Sequence, residues 1–414
     1  MGGHSTYCDI QYFLDVIIIV QHSRSMMQGA ALISVLHCGT TIRKEELSMY
    51  SVNRERLLQT FTDLVKISSP SWNEAGVIDY IVKKLKPMKI QAEKIPCGKS
   101  HNLLVRIDGE EKRRPALFSC HTDTVVPCEN VIPVVTSSRI SSDGTTILGA
   151  DDKAAVAAFI EAITCIHEQK RTHGPLEFLF SCAEEVGLCG IKCFDMSLLK
   201  SKIAFVFDSG GEVGKVIIKA PYHSTIDCTV KGKSAHAGME PEKGVSAIKV
   251  LSEIISKLPH GRIDNETTVN VGLISGGSAT NIVAEEAYFK LEARSVDSKK
   301  LKSIEDDITL IIHSTVKEYN AKAVITRNLE YSGFTIKEND SILGIIHRAL
   351  GKINITPQHE ISGGGSDTNI INRAGIKAVN LSIGMRNVHT KKEYIMIKDL
   401  MNGARFVLAL IDTV

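Results

Sequence analysis

The chain has 414 residues, 43% hydrophobic and 23% charged, with a formal net charge of +2. That balance suits two globular domains with large cores, and near-neutrality removes any electrostatic case for a nucleic-acid or anionic-membrane partner. Ten cysteines are too sparse for a disulfide scaffold; several, Cys120, Cys182 and Cys228, fall in apolar runs, and the cysteines as a set are expected to be reduced in a cytoplasmic protein.

The first apolar stretch, "YFLDVIIIVQ", carries Asp15 and is too short for a membrane span of about 20 residues. It also lacks the basic flank of a secretory signal. Domain-like patterning starts at "MYSVNRERLLQTFTDLVKI", where Leu57, Leu58, Phe61, Leu64 and Val65 mark one helical face. Met49 is therefore a candidate start, with residues 1–48 an upstream extension. The basic run "EEKRRP" (Glu110–Pro115) has acids beside it and reads as a solvated turn.

From Ala116 one pattern recurs: an apolar run ends in a polar group able to bind metal. "ALFSC" leads to His121-Thr-Asp123, "LEFLFSCA" to Glu184-Glu185, "IAFVF" to Asp208, and "KAVNLSIGMRNV" to His389. Between them "DDKAAVAAFIEAITCIHEQ" has helical spacing at Val156, Phe159, Ile160 and Ile163. Short apolar runs alternating with helices predict an α/β domain with a mostly parallel sheet buried on both faces. Ligands of such sheets sit beyond the carboxyl ends of the strands, where each polar group falls.

Tyr222 to Glu330 reads differently. "STIDCTVKG" alternates, "EKGVSAIKVLSEIISKL" is an amphipathic helix, and "TTVNVGLISGG" and "AYFKLEARS" follow as strands. A second helix and "AVITRNLEY" complete a β-α-β-β-α-β order, the ferredoxin-like unit. The expected organisation is a catalytic domain of residues 49–221 and 331–414 interrupted by an inserted α+β domain, 222–330.

Taken singly, the polar groups have ordinary readings. His121-x-Asp123 could be a surface turn, Asp151 or Asp152 a helix N-cap, and His389 a loop histidine. Asp208 at a strand end needs solvent or a cation, because an unpaired buried carboxylate is costly. Jointly, His121, Asp151, Glu185, Asp208 and His389 come from five segments of one predicted sheet edge. Catalytic zinc takes three protein ligands, so five ligands with one shared carboxylate would serve two cations. Mixed imidazole and carboxylate ligation suits Zn²⁺ and tolerates Co²⁺ or Mn²⁺.

The ordered set "HTDTVVP", "LGADDKAA", "EEVGLCG", "FDSGG", "GKSAHAG", "SGGGSDTN" and a late His resembles the co-catalytic zinc metallopeptidase family of tripeptidase T, carboxypeptidase G, acetylornithine deacetylase and aminoacylase. "GADDKA" is closest to the tripeptidase T branch. The resemblance implies two Zn²⁺ bridged by Asp151, with His121 and Asp208 at one ion and Glu185 and His389 at the other. It implies that Asp123 orients His121, that Glu184 is the general base for a metal-bridging hydroxide, and that His236 assists the oxyanion. In dimeric members that histidine comes from the partner subunit, so a homodimer through the inserted domain is expected.

Arg294, with its bidentate fork, Asn281, Gly363 and Gly364 are candidate substrate contacts. The glycine run is not a P-loop, since no GK[ST] follows. The expected activity is amide hydrolysis of short peptides by an aminopeptidase. The alternatives are an N-acyl-amino-acid deacylase and a non-catalytic, metal-stabilised binding protein, although all five ligands and Glu184 are present.

Overall fold

The computed structural model describes residues 50–414, so the expected extension, 1–48, lies outside the described residues. In chain order the first elements are α1 (Arg54–Val65), α2 (Ala75–Leu85), β1 (Ala92–Cys97), β2 (Ser100–Ile107), β3 (Ala116–His121), β4 (Pro133–Val135) and β5 (Arg139–Ser142). They are followed by α3 (Ala150–Gln169), β6 (Leu176–Ser181), α4 (Cys189–Lys192), β7 (Ile203–Ser209) and β8 (Lys215–Ala220). Next come β9 (Tyr222–Lys231), α5 (Ala247–Lys257), β10 (Gly261–Arg262), β11 (Thr267–Gly276), β12 (Glu286–Ser295), α6 (Ser298–Glu318) and β13 (Lys322–Tyr331). The chain closes with β14 (Phe334–Thr335), α7 (Ser341–Lys352), β15 (Gln358–Ile361), α8 (Asp367–Arg373), β16 (Lys377–Ser382), β17 (Met385–Arg386), β18 (Tyr394–Met396) and α9 (Ile397–Ile411).

The main sheet runs β1-β2-β6-β3-β7-β16-β8-β14, with β15 also on β8. Its centre, β6-β3-β7-β16, is parallel, and antiparallel pairs flank it. Every residue of β3 and β6 is buried, which explains why these strands read as continuous apolar runs rather than as alternation. Phe118 of β3, Phe178 of β6 and Phe205 of β7 meet beneath Phe159 of α3 with ring centroids 5.2–6.2 Å apart. This aromatic layer fixes α3 on the sheet, and with it the position of the acids that begin α3.

The inserted segment forms its own antiparallel sheet, β10-β11-β12-β9-β13. Helices α5 and α6 cover one face, burying Ile254, Ile308 and Ile312 against Ile226, Phe289 and Leu291. The predicted β-α-β-β-α-β order is present, with the two-residue β10 added.

Two features depart from the sequence reading. A small third sheet, β17-β18-β5-β4, was not foreseen because its strands have only two to four residues each, below any readable period. Cys97 and Cys193 are disulfide-bonded with Cα atoms 6.0 Å apart, correcting the expectation of reduced cysteines for that pair. The end of β1 and the residue after α4 meet only in the fold, at a sequence separation of 96. Cys120, Cys182 and Cys228 are free and buried, as expected. Among the described residues no helix is long and apolar enough to cross a membrane.

Candidate metal centre

His121 is the buried last residue of β3. Its Nδ1 lies 3.0 Å from the main-chain oxygen of Asp123, a contact that requires Nδ1 to carry the proton and leaves the lone pair on Nε2. The sequence reading gave this orienting role to the Asp123 carboxylate. That carboxylate is 3.5 Å from Nδ1, so the shorter contact belongs to the backbone of the same residue.

The bare Nε2 stands 3.0 Å from Asp151 Oδ1 and 3.6 Å from Asp208 Oδ1. Asp208 reaches this point because β7 runs parallel to β3 as its neighbour. Asp151 reaches it because the chain turns at Gly149 (φ +75°) and stays non-helical through Asp151 and Asp152 before α3 continues. Asp152, which the sequence reading left as a possible cap, is fully buried and accepts the His121 main-chain N–H at 3.3 Å.

The second oxygen of Asp151 faces the other histidine. His389 Nε2 is 3.2 Å from Asp151 Oδ2 and 3.0 Å from Glu185 Oε1. His389 holds φ +62°, an uncommon region for a side chain with a Cβ, and so its loop aims the ring inward. Ligand atoms of His121, Asp151 and Glu185 all lie within 4.8 Å of one another, as do those of His121, Asp152 and Asp208.

The tandem glutamates lie in a turn beyond the end of β6 rather than on the strand, and both line the cavity. Ala183 turns the chain at φ +47°. Close behind, Gly190 approaches so tightly that a Cβ would stand 1.8 Å from the Cys182 carbonyl oxygen. Glu185 pairs with His389, while Glu184 is largely buried and lines the cavity.

Burial, then the neighbouring Asp208 charge, pushes the Glu184 carboxyl well above the usual range. Burial likewise raises Asp208 to about 7, whereas hydrogen bonds to His121 and His389 outweigh burial and hold Asp151 down. This many acids around two imidazoles is a costly arrangement unless positive charge compensates it. The donor set fits metal ions. Four ligands at about 2.0–2.1 Å from a tetrahedral zinc stand roughly 3.3 Å from one another, and the observed contacts of 3.0–3.6 Å bracket that spacing.

A cavity of about 590 Å³ opens over the cluster, lined also by Arg294, His223, Tyr331, Ser362, Gly364 and Gly365. Arg294 donates to Glu292 at 3.0 Å and to Tyr331 Oη at 3.4 Å, and its Nε has no partner among the described residues. Gly363 is adjacent in the loop but does not line the cavity. His236 and Asn281 are not brought to it within this chain. They meet each other in an exposed part of the inserted domain, where Asn281 O accepts the Ala237 N–H and His236 Nδ1 accepts from Gly238 and Met239.

His223, Tyr331 and Glu393 escaped the sequence reading. His223 and Tyr331 sit at opposite ends of the inserted segment with no motif around them. Glu393 follows His389 by four residues, and that proximity was the available signal.

A paired imidazole–carboxylate cluster at the carboxyl edge of a parallel sheet, under a substrate-sized cavity, defines a metal-dependent hydrolase. Comparison with known proteins agrees. Residues 222–320 match the peptidase dimerisation domain and residues 102–236 match peptidase family M28. The Bacillus subtilis (strain 168) protein YqjE is 38% identical over 366 residues, 87% of this chain and 99% of YqjE. The crystal structure of aminopeptidase PepT from Bacillus cereus ATCC 10987 superposes with TM-score 0.80 at 37% identity, covering 87% of this chain and 99% of PepT. A tripeptidase from Staphylococcus aureus subsp. aureus Mu50 gives TM-score 0.82 at 37% identity, covering 87% and 98%. The chain belongs to the M20 metallopeptidase family, in its tripeptidase T-like branch, and is a peptidase.

Proposed function

We propose that the protein is an aminopeptidase that releases residues from short peptides at a centre of two Zn²⁺ ions. One observation carries this reading. Asp151 offers one carboxylate oxygen toward His121 and the other toward His389, the disposition a bridging ligand needs. His121 and Asp208 would hold one ion, and His389 and Glu185 the other. Bound there, the pair would polarise the scissile carbonyl and acidify a water.

The protein's own groups do the rest. Glu184, buried and facing the cavity, would take the water's proton and pass it to the leaving amine. The Asp123 backbone oxygen holds His121 in one tautomer. Arg294 lines the cavity and would hold a substrate carboxylate through its guanidinium, with Gly364 offering backbone groups. Gly363 and Asn281 are weaker candidates, since neither lines the cavity.

His236 would complete the oxyanion site from a second copy, because within one chain it stands apart from the cavity. This supports a homodimer through an inserted domain of residues 222–330, with residues 49–221 and 331–414 as the catalytic domain.

A screen of free-amine tripeptides against N-acetyl amino acids tests the activity. Hydrolysis of the tripeptides supports the aminopeptidase. Turnover confined to the acylated compounds would make the protein a deacylase on the same ligands.

A further inference from the structure

Glu393 is 1% exposed and its carboxylate is spent entirely on backbone donors. Oε2 accepts the N–H groups of Leu148 at 2.8 Å and Gly149 at 2.7 Å, and Oε1 accepts that of Asp151 at 2.9 Å. These donors belong to the buried turn that delivers Asp151 to the site, and Asp151 itself has non-helical dihedrals there. The Asp151 N–H therefore goes to Glu393 rather than into the helix.

The acid lies four residues beyond His389, in a loop closed by the Glu393 N–H to Thr390 O bond of 3.0 Å. One short segment thus carries a histidine facing Asp151 Oδ2 and a carboxylate gripping the Asp151 backbone. The two segments are 242 residues apart in sequence.

We propose that Glu393 is a positioning residue that locks the Asp151 turn to the His389 loop, so that the ligands of both ions are set by one clamp. The inference rests on the two-ion reading of the site. It explains why the position is an acid rather than an amide. A glutamine could accept through its carbonyl oxygen alone, and its NH₂ group would oppose a backbone N–H. An aspartate keeps the charge but falls one methylene short of three donors that the turn already holds in place. Groups that orient ligands from behind commonly govern metal affinity about 10–100-fold.

The test uses the full chain stripped of metal and titrated with Zn²⁺ against a chromophoric chelator, alongside Glu393→Gln and Glu393→Asp. The wild type should take up two ions. Both variants should keep the wild-type far-UV circular dichroism and bind Zn²⁺ at least about 10-fold more weakly, with excess Zn²⁺ restoring kcat at an unchanged KM. Wild-type affinity in either folded variant overturns the proposal. So does failure of both to fold, which would make Glu393 a folding residue. A wild type that binds fewer than two ions removes the reading beneath it, a result separate from any behaviour of the variants.

Discussion

The carboxylate of Asp123 accepts the main-chain N–H of Glu184 at 3.0 Å. Its other oxygen takes the Glu185 N–H at 3.2 Å and the Ser71 hydroxyl at 2.6 Å. The aspartate two residues past His121 therefore fixes the tandem glutamates with its side chain and the imidazole with its backbone. Asp123→Asn should keep the His121 contact, which is to a main-chain oxygen, and disturb the glutamate turn, since an amide NH₂ would oppose one N–H. Zn²⁺ affinity by chelator competition should fall about 10–100-fold. Wild-type affinity would show the turn to be held without it.

The two glutamates should separate experimentally. Glu184→Ala is expected to retain metal after dialysis and lose about 10² or more in kcat, the contribution of a general base. Glu185→Ala should lose metal, because His389 then keeps only Asp151 as its nearby partner. Elemental analysis of both dialysed proteins decides the point, and equal metal content in the two contradicts the division of labour.

At the far wall of the cavity, His223 Nε2 lies 3.2 Å from the Glu292 carboxylate; this contact outweighs burial and, with Arg294, holds the Glu292 carboxyl down at about 2 from an ordinary 4.5. A folded-state value below the unfolded one contributes stability that is present above about 4.5 and is lost as pH falls towards 2. Glu292 is partly exposed, so the contribution is no more than about 1 kcal/mol. Denaturant unfolding of Glu292→Gln should differ from wild type at pH 6 and converge with it as pH falls below 4.5. A difference constant from pH 6 to 3 would show that the ion pair contributes nothing.

The aromatic layer below the site is a matter of packing alone. Phe159 is fully buried among Phe118, Phe178, Phe180 and Phe207. Phe159→Ala should cost roughly 3–5 kcal/mol in denaturant unfolding. A loss below about 1 kcal/mol would mean that α3 is seated by something else.

Most of the proposed ligands were legible because they follow apolar runs whose burial on both faces marks central strands, and chemistry collects where such strands end. That rule marked His121, the Glu184-Glu185 pair and Asp208, while the family resemblance chose Asp151 over Asp152 and Glu185 over Glu184. Groups that act from behind were harder to read. Glu393 works through backbone donors, which any residue supplies and no sequence pattern marks, and Asp123 was read as orienting His121 while its grip on the glutamate turn was not. His223 and Tyr331 come together only when the inserted domain returns to the catalytic sheet. The Cys97–Cys193 contact likewise depends on β1 packing beside α4. The distance of His236 from the cavity is a property of the fold that its motif does not carry.

Anomalous diffraction from crystals grown with Zn²⁺ tests the central claim most directly. Two peaks roughly 3.5–4 Å apart should flank the Asp151 carboxylate, one against His121 and Asp208 and the other against His389 and Glu185. A single peak, or peaks that leave Asp151 unligated, would contradict the account.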